Sequence, residues 1–293
     1  MKPASPQQSR ISRCLPVVLF AYRRAAHLAR CWRSLAANPE SRETELHVFL
    51  DGAKGPDDQK AAAQTREESG RIQGFRKVHY YPSKTNLGLS RSIKGGITKI
   101  LTHTEALVVI EEDLELSPFF LRYMNEAVTL YKNHPAVASI HGYVYPALQA
   151  IPETFFMKGA DCWGWATWSS AWKKFEPNGA KLLEELRSRK LEKDFDLGGV
   201  GPFTEILQQQ IQGKNDSWAI RWHASAYLAG MHTLYPRCSL VKNIGFDSSG
   251  THCCTSQIYD SELSQTPIRV KPIPVVESEI GRKAFQEFFK AQK

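Results

Sequence analysis

From residue 16 to about residue 132 the chain alternates short apolar runs with segments whose apolar residues recur every three or four positions. Residues 16–21 (PVVLFA), 46–50 (LHVFL), 78–81 (VHYY) and 106–110 (ALVVI) have the length and the branched or aromatic content of strands. Between them, residues 25–36 bring Ala25, Leu28, Ala29, Trp32, Leu35 and Ala36 onto one helical face. Residues 57–69 and 90–104 also read as helices, with Pro39 ending the first helix and Gly70 the second. Ser117 and Pro118 open a fourth helix reaching about residue 132, the proline sitting where a helix tolerates it. This repeated alternation predicts an α/β fold: a mostly parallel sheet with helices on both faces. In such sheets ligands gather beyond the carboxyl ends of the strands. Two predicted strands end there in acids, Leu50 running into Asp51 and Ile110 into Glu111-Glu112-Asp113.

The second half is less regular. Strand-like pieces occur at 136–141, 154–158 and 234–241, and residues 217–229 form an amphipathic pattern stopped by Gly230. The proline-rich stretch from Val270 to Val276 reads as a linker. A short helix follows, with Ile280, Phe285, Phe288 and Phe289 apolar and Arg282, Lys283 and Lys290 basic. The organisation expected is a basic extension at 1–14, one α/β domain at 15–264, and a linker with a terminal helix at 265–293.

Composition narrows the function classes. The chain of 293 residues is 42% hydrophobic and 23% charged, ordinary for a globular protein. Its net charge of +8 is local. Residues 1–33 hold seven basic side chains and no acid, which leaves 31 basic against 30 acidic groups in the rest. A chain-wide field for nucleic acid is therefore excluded. The basic leading segment suits a peripheral contact with an anionic membrane surface. No apolar run approaches the ~20 residues that span a bilayer, and the polar start lacks a signal-peptide pattern. Six cysteines show no CxxC pair and read as reduced thiols, which suits the cytoplasm, with peripheral placement at the inner face of the membrane.

Glu111-Glu112-Asp113 carries the sharpest chemistry. Three carboxylates in a row after five buried apolar residues repel one another unless a counter-charge is present. A hard divalent cation, Mn²⁺ or Mg²⁺, supplies one and prefers oxygen ligands shared with substrate phosphates. Asp51 at a strand end offers acceptors to a base imide N–H, or caps its own turn with Gly52. Arg24 near a helix start suits a pyrophosphate. Residues 163–172 hold four of the seven tryptophans. Trp168 and Trp172 read as core, whereas Trp163, beside Gly164, reads as a wall for a sugar or acceptor. Asp216 can act as a general base, while Ser217 caps the helix that follows.

Taken together, these segments resemble the nucleotide-sugar glycosyltransferases of the GT-A fold, closest to the N-acetylglucosaminyltransferase I type and to bacterial family 2-like enzymes. The resemblance runs in order from about residue 15 to 255. It makes Asp113 the metal ligand, with Glu111 and Glu112 beside the donor; Glu112 departs from the family's Glu-Asp-Asp. Phe20-Ala-Tyr-Arg-Arg24 matches the first strand and its nucleotide-holding arginine, Arg24. The segment ending in Asp51 matches the one that reads uracil. Asn86-Leu-Gly-Leu-Ser90 matches the loop lining the donor site, Trp163 and Gly164 the segment opposite the metal, and Asp216 the base. His252 matches a late histidine that helps hold metal in several such enzymes. The resemblance implies inverting transfer of a sugar, from a UDP-linked donor, to a hydroxyl of a glycan or lipid-linked acceptor. A nucleotidyltransferase acting on a sugar phosphate, or a non-catalytic nucleotide- or glycan-binding module, uses the same sheet and stays open.

Overall fold

The structure, a computed structural model, describes residues 14–132, 134–146, 150–247 and 258–292. Its first half comprises β1 (Val17–Ala21), α1 (Ala25–Ala36), β2 (Glu45–Leu50), α2 (Pro56–Ser69), β3 (Lys77–Pro82), α3 (Leu89–Leu101), β4 (Ala106–Glu111), β5 (Leu114–Leu116), α4 (Phe120–Tyr131) and β6 (Val137–His141). After these come β7 (Thr154–Lys158), β8 (Trp165–Trp168), α5 (Ser169–Trp172), α6 (Gly179–Ser188), α7 (Glu192–Phe195), α8 (Phe203–Ile211) and α9 (Trp218–Leu228). The chain then forms β9 (His232–Pro236), β10 (Val241–Asn243) and α10 (Glu279–Lys290).

The main sheet has the order β3-β2-β1-β4-β8-β6-β9-β7. Four of its seven pairings are parallel, so the expected α/β class with a mostly parallel sheet holds. β8 runs antiparallel to both neighbours, and β7 antiparallel to β9. β5 and β10 form a separate antiparallel ribbon.

Both faces of the sheet are covered, which is why β1 reads as an unbroken apolar run rather than an alternation. Val17 and Leu19 pack with Leu28, Trp32, Phe120 and Met124 under α1 and α4. Val18 and Phe20 pack on the other face with Ile93 and Ile97 of α3 and with Trp165, Trp218 and Trp222. The terminal helix α10 seats Phe285 and Phe289 against Phe155 and Tyr235 of β7 and β9.

Several boundaries differ from the sequence pattern. The helix expected from Ser117 begins at Phe120, and its Leu121 amide donates to Oδ1 of distant, buried Asn38 (2.9 Å). The expected strand at 234–241 splits in two: β9 stays in the sheet while β10 leaves to pair with β5. Residues 165–168 form a fully buried strand. Helices α6 and α8 bury Leu182, Leu186 and Leu207 where no element was anticipated.

The topology fixes where chemistry can occur. β1 to β4 point the same way, so Arg24, Asp51 and the Glu111–Asp113 triplet follow strands that end on one edge. β8 enters the sheet with Trp165 paired to Val109 and to His141, which brings residues 163–164 to that edge too.

Candidate active site

The parallel register sets Phe20 of β1 against Glu111, and the Glu112 amide donates to the Phe20 carbonyl (3.0 Å). Arg24, just before α1, then reaches across. Its Nε donates to Glu112 Oε1 at 3.0 Å and its Nη2 to Asp113 Oδ2 at 2.7 Å. The cluster is largely covered, with side-chain exposures of 16% for Arg24, 8% for Glu112 and 14% for Asp113. Part of the cover is Gly245, where a Cβ would come within 2.5 Å of Asp113 Oδ2 and 2.9 Å of Arg24 Nη1. The β5–β10 ribbon delivers that glycine, and the Ile244 amide donates to the Asp113 carbonyl at 2.8 Å.

A guanidinium thus supplies counter-charge that the sequence pattern assigned to a metal. Burial opposes the charge on Arg24, yet Glu112 and Asp113 beside it hold its proton more firmly than usual. The compensation is incomplete. Burial, aided by Asp113 and Glu112, raises the Glu111 carboxyl well above the ordinary range. Burial likewise pushes Glu112 up to about 6 against the pull of Arg24. Three carboxyl groups against one guanidinium leave surplus negative charge, and oxygen donors suit Mg²⁺ or Mn²⁺. As placed, the three do not bring one oxygen each within 4.8 Å of the others, so an ion would need them to turn toward it. Arg24 Nη1 is buried and has no hydrogen-bond partner, a donor suited to a phosphate oxygen.

Asp51 accepts from its own turn and from the loop that follows β3. Its Oδ1 accepts from the Gly52 and Leu87 amides at 2.9 and 2.8 Å. Its Oδ2 accepts from the Gly88 amide at 2.9 Å and from Asn86 Nδ2 at 3.2 Å. A carboxylate has about four lone-pair positions, so these donors fill it. Asp51 therefore clamps the loop from Asn86 to Gly88, and Asn86 also holds the Gly52 carbonyl at 2.9 Å.

That loop leads directly to Ser90 and, through it, to Asp216. Arg221, a buried side chain of α9, donates from Nη2 to Ser90 Oγ (2.9 Å) and to Asp216 Oδ1 (2.9 Å). Its Nε and Nη1 bind the Ser217 and Pro177 carbonyls at 3.0 and 3.3 Å. Ser217 caps α9 as expected, its Oγ accepting from the Ile220 amide at 3.2 Å. Asp216 itself is 70% exposed. Arg221 was not singled out from the sequence. A lone arginine among apolar helical residues was its signal, and its burial is a tertiary property. Lys94, one turn after Ser90, is held below its usual range by burial and by Arg221.

Trp163 is held from two sides. Its amide donates to His141 Nε2 at 3.0 Å, and its ring meets Tyr143, Tyr259 and Phe246 edge-on at centroid distances of 4.7 to 5.7 Å. Gly164 has φ +62°, and a Cβ there would sit 2.6 Å from Val241, so glycine is required twice over. Trp168 and Trp172 are buried, as their reading as core requires. His141 is a second residue the sequence reading missed. Its Nδ1 lies 2.8 Å from the Tyr143 carbonyl, and because Nε2 accepts from Trp163 the ring is the Nδ1–H tautomer. Burial keeps it neutral by lowering its pKa. Next to this segment lies a cavity of about 180 Å³, lined by Asp161, Ser217, His223, Tyr235, Phe285 and others.

His252 lies outside the described residues. The described early arginines are all paired: Arg23 with Asp58, Arg24 with the triplet, Arg30 with Glu115 and Arg33 with Glu68. These four described arginines are thus each matched by an acid from elsewhere in the fold. Burial pushes the Cys31 and Cys162 thiols up, which disfavours the nucleophilic thiolate. Among the described residues no helix is long and apolar enough to cross a membrane.

No protein-family model matches the chain, and no curated protein does. Similarity is found to solved structures. One is the mannosyltransferase PcManGT from Pyrobaculum calidifontis in complex with GDP-Man and Mn²⁺, 13% identical over 46% of this chain and 37% of that one, with a TM-score of 0.34. Another is S. aureus TarS, 12% identical over 78% of this chain and 36% of that one, with a TM-score of 0.40. A structure of TarS residues 1–349 is 14% identical over 50% and 41%, with a TM-score of 0.33. This chain spans well under half the length of each, and its chemistry must be argued from its own residues.

Proposed function

We propose that this protein is a glycosyltransferase that moves a sugar from a nucleotide diphosphate donor to a hydroxyl of a glycan or lipid-linked acceptor. The observation that carries the reading is the pair of acidic centres at this site. The Glu111–Asp113 cluster, held by Arg24, lies at the carboxyl ends of the parallel strands. Asp216 is tied through Arg221 and Ser90 to the loop that Asp51 clamps beside the same strand ends. Transfer needs both centres: one for the charge of the departing diphosphate, the other for the proton of the incoming hydroxyl.

Glu111 and Asp113 would hold Mn²⁺ or Mg²⁺, which supplies Lewis-acid neutralisation of the leaving diphosphate. Arg24 places its free Nη1 donor on a phosphate oxygen. Asp216 takes the acceptor proton on Oδ2, while Arg221 on Oδ1 fixes the direction of the other oxygen. The hydroxyl oxygen attacks the anomeric carbon from the face opposite the diphosphate, and the configuration inverts. Trp163, set by His141, forms the apolar wall of the sugar or acceptor pocket.

The filled acceptors of Asp51 leave base recognition to the loop it organises, so the donor panel should be broad. Incubation with Mn²⁺ and a set of UDP- and GDP-sugars, reading released nucleoside diphosphate, tests the reading. Turnover that disappears with a chelator and in Asp113→Asn is expected. Release of pyrophosphate from a nucleoside triphosphate and sugar phosphate instead would identify a nucleotidyltransferase and refute it.

A further inference from the structure

A second cluster of metal-ligating side chains lies away from the carboxylate triplet. β2 and β3 pair in parallel with His47 directly opposite His79. Strand alternation puts Glu45 on the same face as His47, two residues before it. His47 precedes Asp51 by four residues, about 13 Å of extended strand, so this cluster is separate from the site above. The two imidazoles stack with centroids 4.5 Å apart and planes 4° from parallel. His79 Nε2 is 3.1 Å from Glu45 Oε2. One ligand atom from each of the three residues lies within 4.8 Å of the other two.

We propose that Glu45, His47 and His79 form a binding site for a borderline divalent cation of the Zn²⁺ class. Two imidazole nitrogens and one carboxylate oxygen suit zinc, nickel or copper, whereas manganese and magnesium favour the all-oxygen triplet. The outer contacts fit a ligand set. Tyr81 Oη lies 3.1 Å from His47 Nδ1, which orients that ring and leaves Nε2 for an ion. Lys99 sits over the Tyr81 ring at 4.6 Å and holds the phenol in turn. Arg76 approaches Glu45 through Oε1 at 3.7 Å, leaving Oε2 toward the histidines. All three ligands are half-buried on paired strands, so an ion can enter without local unfolding. Capture requires the rings to tilt from their parallel stack until their lone pairs converge. Three protein ligands leave one position open for water in a tetrahedral shell. A bound ion would clip β3, the edge strand of the sheet, to β2.

Calorimetric titration of the full chain with ZnCl₂, after chelator treatment and in excess MnCl₂ to occupy the triplet, tests the site. The wild type should bind zinc and gain thermal stability from it. His47→Asn/His79→Asn should lose one equivalent, and Glu45→Gln, which keeps the side chain's size, should weaken that equivalent at least about tenfold. Tyr81→Phe should weaken it less. Shifts of the two imidazole resonances on adding zinc would report the ring tilt. No zinc binding by the wild type would overturn the proposal. So would unchanged stoichiometry and affinity in both the double variant and Glu45→Gln, which would assign the ion to other ligands.

Discussion

Two arginines anchor the two halves of the site, and they do opposite things. Arg24 lies between acids that are themselves covered, and its Nη1 donor is left unmatched. Arg221 is buried with a partner for each of its three nitrogens, while its acid, Asp216, stands 70% exposed. The first arrangement stores charge in a covered place and leaves a donor for an anion. The second uses a fixed cation to aim an acid at solvent, as the proposed general base requires. Burial of the arginine rather than of the acid is what separates a positioning clamp from a charge-compensating centre.

That contrast can be broken most severely at Arg24. Arg24→Met leaves Glu112 and Asp113 buried without a partner, and loss of one member of such a pair typically costs about 3–5 kcal/mol. Chemical denaturation should show that loss, and neutralising Glu112 as well with Arg24→Met/Glu112→Gln should recover part of it. Arg221→Gln should cost less, about 1–3 kcal/mol, because its partners are one exposed acid, a hydroxyl and carbonyls. Its signature is a fall in kcat larger than any change in donor KM, since Asp216 is misdirected rather than removed. A smaller and sign-specific effect belongs to His141. Burial lowers its pKa, so below the ordinary imidazole value of about 6.5 the unfolded chain binds a proton that the native ring refuses. Stability should therefore fall as pH drops below that value, and His141→Gln should flatten the dependence. His223, half-buried and with its pKa also lowered by desolvation, contributes in the same direction, so the slope should shrink rather than vanish.

The sequence pattern reached different depths in the two halves. β1 and β4 were legible because covered strands must be apolar runs, and β2 and β3 through their branched and aromatic residues, with the acids after Leu50 and Ile110 marking strand ends. β8 was not legible, because tryptophans at 163, 165 and 168 suit a sugar-binding wall as well as a core. Only pairing of Trp165 with Val109 and His141 decides between them. The β5–β10 ribbon is three residues per strand, too short to carry a period. Asn38 capping α4 from a distance, Arg221 reaching Ser90, and Asp51 filled by the loop from Asn86 to Gly88 are contacts between segments 35 to 131 residues apart. Such roles are set by folding and leave no local trace. The triplet needed a counter-charge, as its spacing implied; that Arg24 supplies part of it depends on the register of β1 against β4.

The central claim is that Asp216 removes the acceptor proton at a site that binds its donor through the other acidic centre. The direct measurement compares wild type and Asp216→Asn with one turned-over nucleotide sugar, recording donor affinity and nucleoside diphosphate release on the same samples. The account predicts donor affinity within about twofold and a kcat lower by about 10²–10⁴-fold, the range for losing a general base. Equal turnover by the two proteins, with affinity unchanged, would contradict it.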